Sequence, residues 1–176
     1  MKSRMILSAI GSDRPGLTQA LAEAVHGAGG NWLESHLSHL GGKFVGAVLV
    51  ELEAGDLAAL EQAVREVDAA GLHVSLVEAD ADQAPAAGDT LKIELVGQDR
   101  PGIVREVTAA LAPLGVNIED LVTGTENSAW SGDRLFRAAA KLTLPAGMAL
   151  DKVQNAIEAI SADIIVDLTF TASAAR

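Results

Sequence analysis

Apolar residues along this chain follow two rhythms, one of strands and one of helices, and the same succession of rhythms occurs twice. Met5-Ile6-Leu7-Ser8-Ala9-Ile10 is a short apolar run of strand length. Leu17, Leu21, Ala24, Val25 and Ala28 then recur at helical spacing, and Gly27 with Gly29-Gly30 ends that helix. Asn31 to Leu40 and Lys43 to Leu52 flank Gly41-Gly42, and Phe44, Gly46, Val48, Val50 and Leu52 share one face, the pattern of a β-hairpin with a glycine turn. Asp56 stands where it can cap a second helix, whose Leu57, Leu60, Val64 and Val67 form a stripe. Gly71 stops that helix, and Leu72 to Val77 is a fourth strand.

Glu78 to Asp89 has no apolar periodicity and reads as a linker. The second half then repeats the order: strand Leu91 to Val96, helix Pro101 to Leu114, strand Val116 to Thr123, strand Leu135 to Leu144, helix Leu150 to Ile160, strand Ile164 to Phe170. The resulting division is a first domain over 1–79, a linker over 80–89, a second domain over 90–171 and a tail over 172–176. βαββαβ with both helices on one face of an antiparallel sheet is the ferredoxin-like, α+β arrangement. Each half is small enough to need its twin, so the repeats are expected to pair within the chain and the protein to form a homo-oligomer.

The repeat is exact enough to measure. Gly11-Ser12-Asp13-Arg14-Pro15-Gly16 returns as Gly97-Gln98-Asp99-Arg100-Pro101-Gly102, and the same offset of 86 superposes Gly29 on Gly115, Asn31 on Asn117 and Glu34 on Asp120. Each hexapeptide is a strand-to-helix corner. Proline suits a first helical turn, aspartate can cap free N–H groups, and glycine lets the backbone turn sharply. An uncovered helix N-terminus attracts anions, so the carboxylate of an amino acid could dock there; a capped turn without a ligand is the competing reading. The repeats differ at Gly124 to Asp133, a polar loop containing Trp130 in place of the tight glycine turn. That tryptophan is expected to fold back on its own hairpin, with a partner-binding anchor as the alternative.

Net charge is −11, with 5 basic and 12 acidic residues up to Gly88 and 8 basic and 12 acidic after it. Neither half has the basic face that phosphate neutralisation needs, which argues against direct binding to nucleic acid. The absence of cysteine removes disulfides, thiol nucleophiles and thiolate metal sites. No apolar run reaches about 18 residues, and a soluble cytoplasmic protein without membrane contact is expected. His36 and His39 are three apart on a strand and so point to opposite faces, a poor metal pair. The chain has no Gly-x-Ser-x-Gly elbow, P-loop or Rossmann glycine pattern. The acid pairs Glu119-Asp120 and Asp80/Asp82 read as solvated charges. No catalytic activity, metal or cofactor is expected.

Gly-x-Asp-Arg-Pro-Gly between first strand and first helix, followed by Gly-x-Asn at the second strand, resembles the ACT domain, a small ligand-binding module of amino-acid metabolism. Gly115-Val116-Asn117-Ile118-Glu119 is the closest stretch, and two such domains in tandem resemble the glycine cleavage system transcriptional repressor family. Formyltetrahydrofolate deformylases begin with a similar domain, but here a second ACT-like domain follows where their catalytic domain would. The resemblance implies a regulatory protein that senses an amino acid such as glycine and acts through a protein partner, a transcription activator. The alternative is a regulatory subunit giving feedback control to a biosynthetic enzyme. It also implies the ligand contacts: Gly11, Asp13, Gly16 and Asn31 in the first repeat, and Gly97, Asp99, Arg100, Gly102 and Asn117 in the second. The second repeat is expected to hold the better site, because Trp32 after Asn31 is bulky where Ile118 follows Asn117.

Overall fold

The computed structural model describes residues 1–69, 71–80, 89–127, 132–160 and 164–171, the last six by backbone alone. Two compact units divide the chain, Met1–Gln83 and Ala84–Arg176. Most of the predicted linker, Trp130, Asp82 and the tail beyond Thr171 lie outside the described residues.

In the first unit the order is β1 (Lys2–Ser12), α1 (Leu17–Gly27), β2 (Asn31–Leu40), β3 (Lys43–Glu53), α2 (Leu57–Ala69) and β4 (Leu72–Glu78). The second repeats it as β5 (Thr90–Gln98), α3 (Ile103–Leu111), β6 (Asn117–Asn127), β7 (Arg134–Thr143), α4 (Leu150–Glu158) and β8 (Ile165–Thr171). Each unit has one antiparallel sheet, ordered β2-β3-β1-β4 and β6-β7-β5-β8, which is the ferredoxin-like α+β fold.

Alternation explains which face is covered. Met5, Leu7 and Ala9 of β1 and Phe44, Val48 and Val50 of β3 point inward and pack on Leu17, Leu21 and Val25 of α1 and Leu60 and Val64 of α2. Leu91, Ile93 and Leu95 of β5 meet Val107 and Leu111 of α3 and Val153 and Ile157 of α4 in the same way. A side chain of this kind contributes roughly 1.5–3 kcal/mol when fully buried. No polar or charged residue is buried among those described.

Two features depart from the simple periodicity. Pairing slips between Trp32 and Glu34 and, at the matching place, between Ile118 and Asp120, so Leu33 and Glu119 are the extra residues of two equivalent β-bulges. The bulge keeps Trp32 and Ile118 packed against the cores while the following residues regain register. The polar loop expected from Gly124 is strand as far as Asn127: Gly124 pairs with Arg137, Thr125 with Phe136 and Glu126 with Leu135. A salt bridge from Arg137 Nε to Glu126 Oε1 at 2.6 Å bridges the two strands there, an attraction that propensity alone does not register. Asp56 ends a single 3-10 turn, Ala54–Asp56, that leads straight into α2, and its carboxylate lies against Gly29, where an added Cβ would stand 3.3 Å away.

Candidate functional site

The two corners share one backbone. Gly16 has φ 91° and ψ −1°, and Gly102 has φ 90° and ψ −2°. These are the angles of the third residue of a type II turn, a place that requires glycine and commonly follows proline. The Ile103 N–H donates to Arg100 O at 3.4 Å and closes that turn. Pro15 and Pro101 therefore stand in the turn ahead of each helix and not in its first turn, a correction to the expectation from sequence.

The turn also settles the role of the aspartates. A capping oxygen must come from the residue at the helix threshold, and here that residue is glycine, with no side-chain cap on α1 or α3. Asp13 and Asp99, three residues earlier, instead face the hairpin side. The Asp13 carboxylate is 3.9 Å from His39 Nε2 on β2. The Asp99 N–H donates to Arg134 O at 2.9 Å, and its carboxylate is 4.0 Å from the Arg134 guanidinium on β7.

The first-turn N–H groups of both helices consequently point outward without a side-chain cap. In the first unit they border an open recess of about 440 Å³ lined by Asp13, Arg14, Gly16, Thr18, Gln19 and Phe44. No heavy atom lies within 4 Å of a Cβ built on Gly16 or Gly102, so both turns are open to approach. Gly11 has a different reason: a Cβ there would be 2.7 Å from Gly71 O, so its bareness serves strand packing. Gly97 is buried opposite Phe136.

Around the second corner the chemistry differs. Arg100 donates from both guanidinium arms to the two carboxylate oxygens of Glu106 in the first turn of α3. Hydrogen bonding from Arg100 holds the Glu106 carboxyl below its ordinary value, with partial burial opposing and the positive charges of Arg100 and Arg105 adding. The residue matching Glu106 in α1 is Ala20, and the first turn of α1 carries no acid.

The asparagines are not beside the corners of their own units. Asn31 is in register with Glu51 and, through it, with Arg4, whereas Gly11 is in register with Phe44 and His39. Arg4 and Gly11 are seven residues apart on β1, about 23 Å at the rise of an extended strand. Asn117 shares its row with Thr143 and Thr90, equally far from Gly97. The Asn117 amide donates to Glu119 Oε1 within its own strand. Trp32 turns into the apolar core at the place Ile118 takes in the second unit, on the face opposite to Asn31. The size of that residue thus does not separate the two sites.

Reading the sequence missed three groups at the corners: His39, Phe44 and Glu106. The hairpin register could have located the first two, because Phe44 falls opposite Gly11 once Gly41-Gly42 is taken as the turn. Glu106 needed only the offset that exposes Ala20. Among the described residues no group of three or more His, Asp or Glu could hold a metal ion, and no helix is long and apolar enough to cross a membrane.

Comparison with known proteins agrees with this geometry. The sequence profile of the ACT domain matches residues 3–76 and 89–123. A crystal structure of a protein of unknown function from Galdieria sulphuraria is similar over 97% of this chain and 99% of that one, with 28% identity and a TM-score of 0.78. A second solved structure, assigned as a glycine cleavage system transcriptional repressor, is similar over 98% of this chain and 99% of its own, with 18% identity and a TM-score of 0.70. No curated protein sequence matches the chain.

Proposed function

The chain belongs to the ACT domain family, and from that premise we propose that it is a non-catalytic regulatory protein that binds an amino acid at its strand-to-helix corners and acts through a protein partner in the cytoplasm. One observation carries this reading. Two corners 86 residues apart keep the same strained glycine turn, and each leaves a helix N-terminus without a side-chain cap. A zwitterion's carboxylate suits those N–H groups, and Asp13 or Asp99 offers an acceptor for its ammonium. Asn31 and Asn117 are amides able to complete such a site, but each lies at the far end of its own sheet. A ligand touching both a corner and an asparagine would draw on two domains. Glycine is the first ligand to test and transcription the first process, because a structural neighbour carries that assignment.

The second reading, a regulatory subunit of a biosynthetic enzyme, shares the site and differs in the partner. Affinity purification of the tagged chain separates the two, since one recovers a DNA-binding activator and the other a catalytic subunit.

Calorimetric titration of the full chain with each of the twenty amino acids tests the binding itself. Thr18→Asp and Val104→Asp, at matching positions in the first turns of α1 and α3, then assign the repeat. An acid there favours the helix by about 0.3–1 kcal/mol while repelling a carboxylate. Loss of binding in one variant, with melting temperature kept or raised, locates the site. No binding to any amino acid, or binding indifferent to both substitutions, refutes the proposal.

A further inference from the structure

The sheet face turned away from the helices differs between the two units, and the duplication makes the difference interpretable. In the first unit its rows read Val77–Ile6–Leu49, Ser75–Ser8–Ala47 and His73–Ile10–Val45. In the second the matching positions on the central strands are Lys92 with Lys141, Glu94 with Ala139, and Val96 with Arg137. Since both units have one fold, the fold does not require the first face to be apolar. Ile6, Ile10 and Val77 are nevertheless 38%, 51% and 60% exposed. Such a patch marks an interface.

We propose that this face binds the same face of a second copy of the chain. Its three central rows carry no carboxylate, lysine or arginine, so two copies can meet without burying an unpaired charge. The Ser8 and Ser75 hydroxyls already bond each other at 2.6 Å, which lowers the cost of removing them from water. The row of small residues between two rows of larger ones is a trough between ridges, a relief that can interlock with a copy of itself in an isologous contact. At the Arg4 end the rim charges are closed on one another: Lys2 Nζ to Glu51 at 2.6 Å, Arg4 Nε to Glu51 at 3.5 Å, and the Met1 ammonium to Glu53 at 2.9 Å. That rim has little charge left to attract an acidic or basic partner. Four strands about 4.8 Å apart and some 26 Å long cover about 500 Å² per copy, so a pair removes on the order of 1,000 Å², the lower bound for a specific interface.

Sedimentation equilibrium of the full chain across the micromolar range tests this. The wild type should run as a dimer of the 18.1 kDa chain, and Ile10→Glu or Val77→Lys should raise the dissociation constant at least 100-fold with an unchanged far-UV circular dichroism spectrum. Val122→Glu, on the corresponding face of the second unit, should leave the dimer intact. A wild-type monomer, a dimer indifferent to Ile10→Glu and Val77→Lys, or one broken by Val122→Glu overturns the proposal. Tightening on added salt is expected as well, because each copy carries a net charge of −11.

Discussion

Arg100 grips Glu106 with both arms of its guanidinium, Nη1 to Oε1 at 2.9 Å and Nη2 to Oε2, whereas the residue six beyond Arg14 is Ala20. A fork-to-fork pair of this kind is charge-assisted and geometrically specific. It anchors the second corner to the first turn of α3 and places a carboxylate where an incoming anion would have to approach.

The pair should be visible in acid titration. The folded Glu106 carboxyl titrates below its ordinary value, so the pair contributes stability above the unfolded value of about 4.3 and loses it as pH falls from there through the lower folded value. Carboxyl NMR should show a depressed midpoint for Glu106, and Arg100→Met should bring it back up. An ordinary midpoint in the wild-type protein would contradict this geometry.

Gly46 of β3 sits opposite Leu37 of β2 so closely that a Cβ on it would be 2.8 Å from Leu37 Cα and 2.1 Å from His36 O. Those neighbours are backbone and cannot swing aside. Gly46→Ala should therefore cost about 1–3 kcal/mol or more, as overpacking does, and a denaturant melt should show it. Gly27→Ala, where a Cβ meets nothing within 4 Å, should instead be neutral or slightly stabilising.

Leu7 and Ile93 occupy matching inward places on the central strands and are both buried. Truncating either to alanine should lower stability by about 2–5 kcal/mol through lost burial and the cavity left behind. Urea unfolding measures this; a loss below about 1 kcal/mol at either site would mean that its core collapses around the gap.

Asn117 is exposed and bonds only locally, to Glu119, among its printed contacts. Asn117→Ala should leave the melting temperature close to that of the wild type. If its amide meets the bound amino acid, ligand affinity should fall by about 1–3 kcal/mol in calorimetry. The parallel measurement on Asn31→Ala identifies which asparagine takes part.

The sequence by itself determined the duplication, the βαββαβ order and the inward residues, because each is written in short-range terms. Period-two alternation set Phe44, Val48 and Val50 inward, and helical spacing did the same for Leu17, Leu21 and Val25. The proline–glycine pair marked each corner, since only glycine takes φ near 90° without strain. Tertiary structure alone decided what long-range pairing controls. The register of β2 on β3 and β3 on β1 carried Asn31 to the far end of the sheet from Gly16, and a bulge shared by both repeats shifted the alternation after Trp32 and Ile118. The turn assigned the capping position to glycine and sent Asp13 and Asp99 toward the hairpin. The two open faces came to differ for the same reason: a strand's sequence shows which residues share a side, but only the alignment of four strands shows that Ile6, Leu49 and Val77 form one patch while Lys92 and Lys141 break up its counterpart.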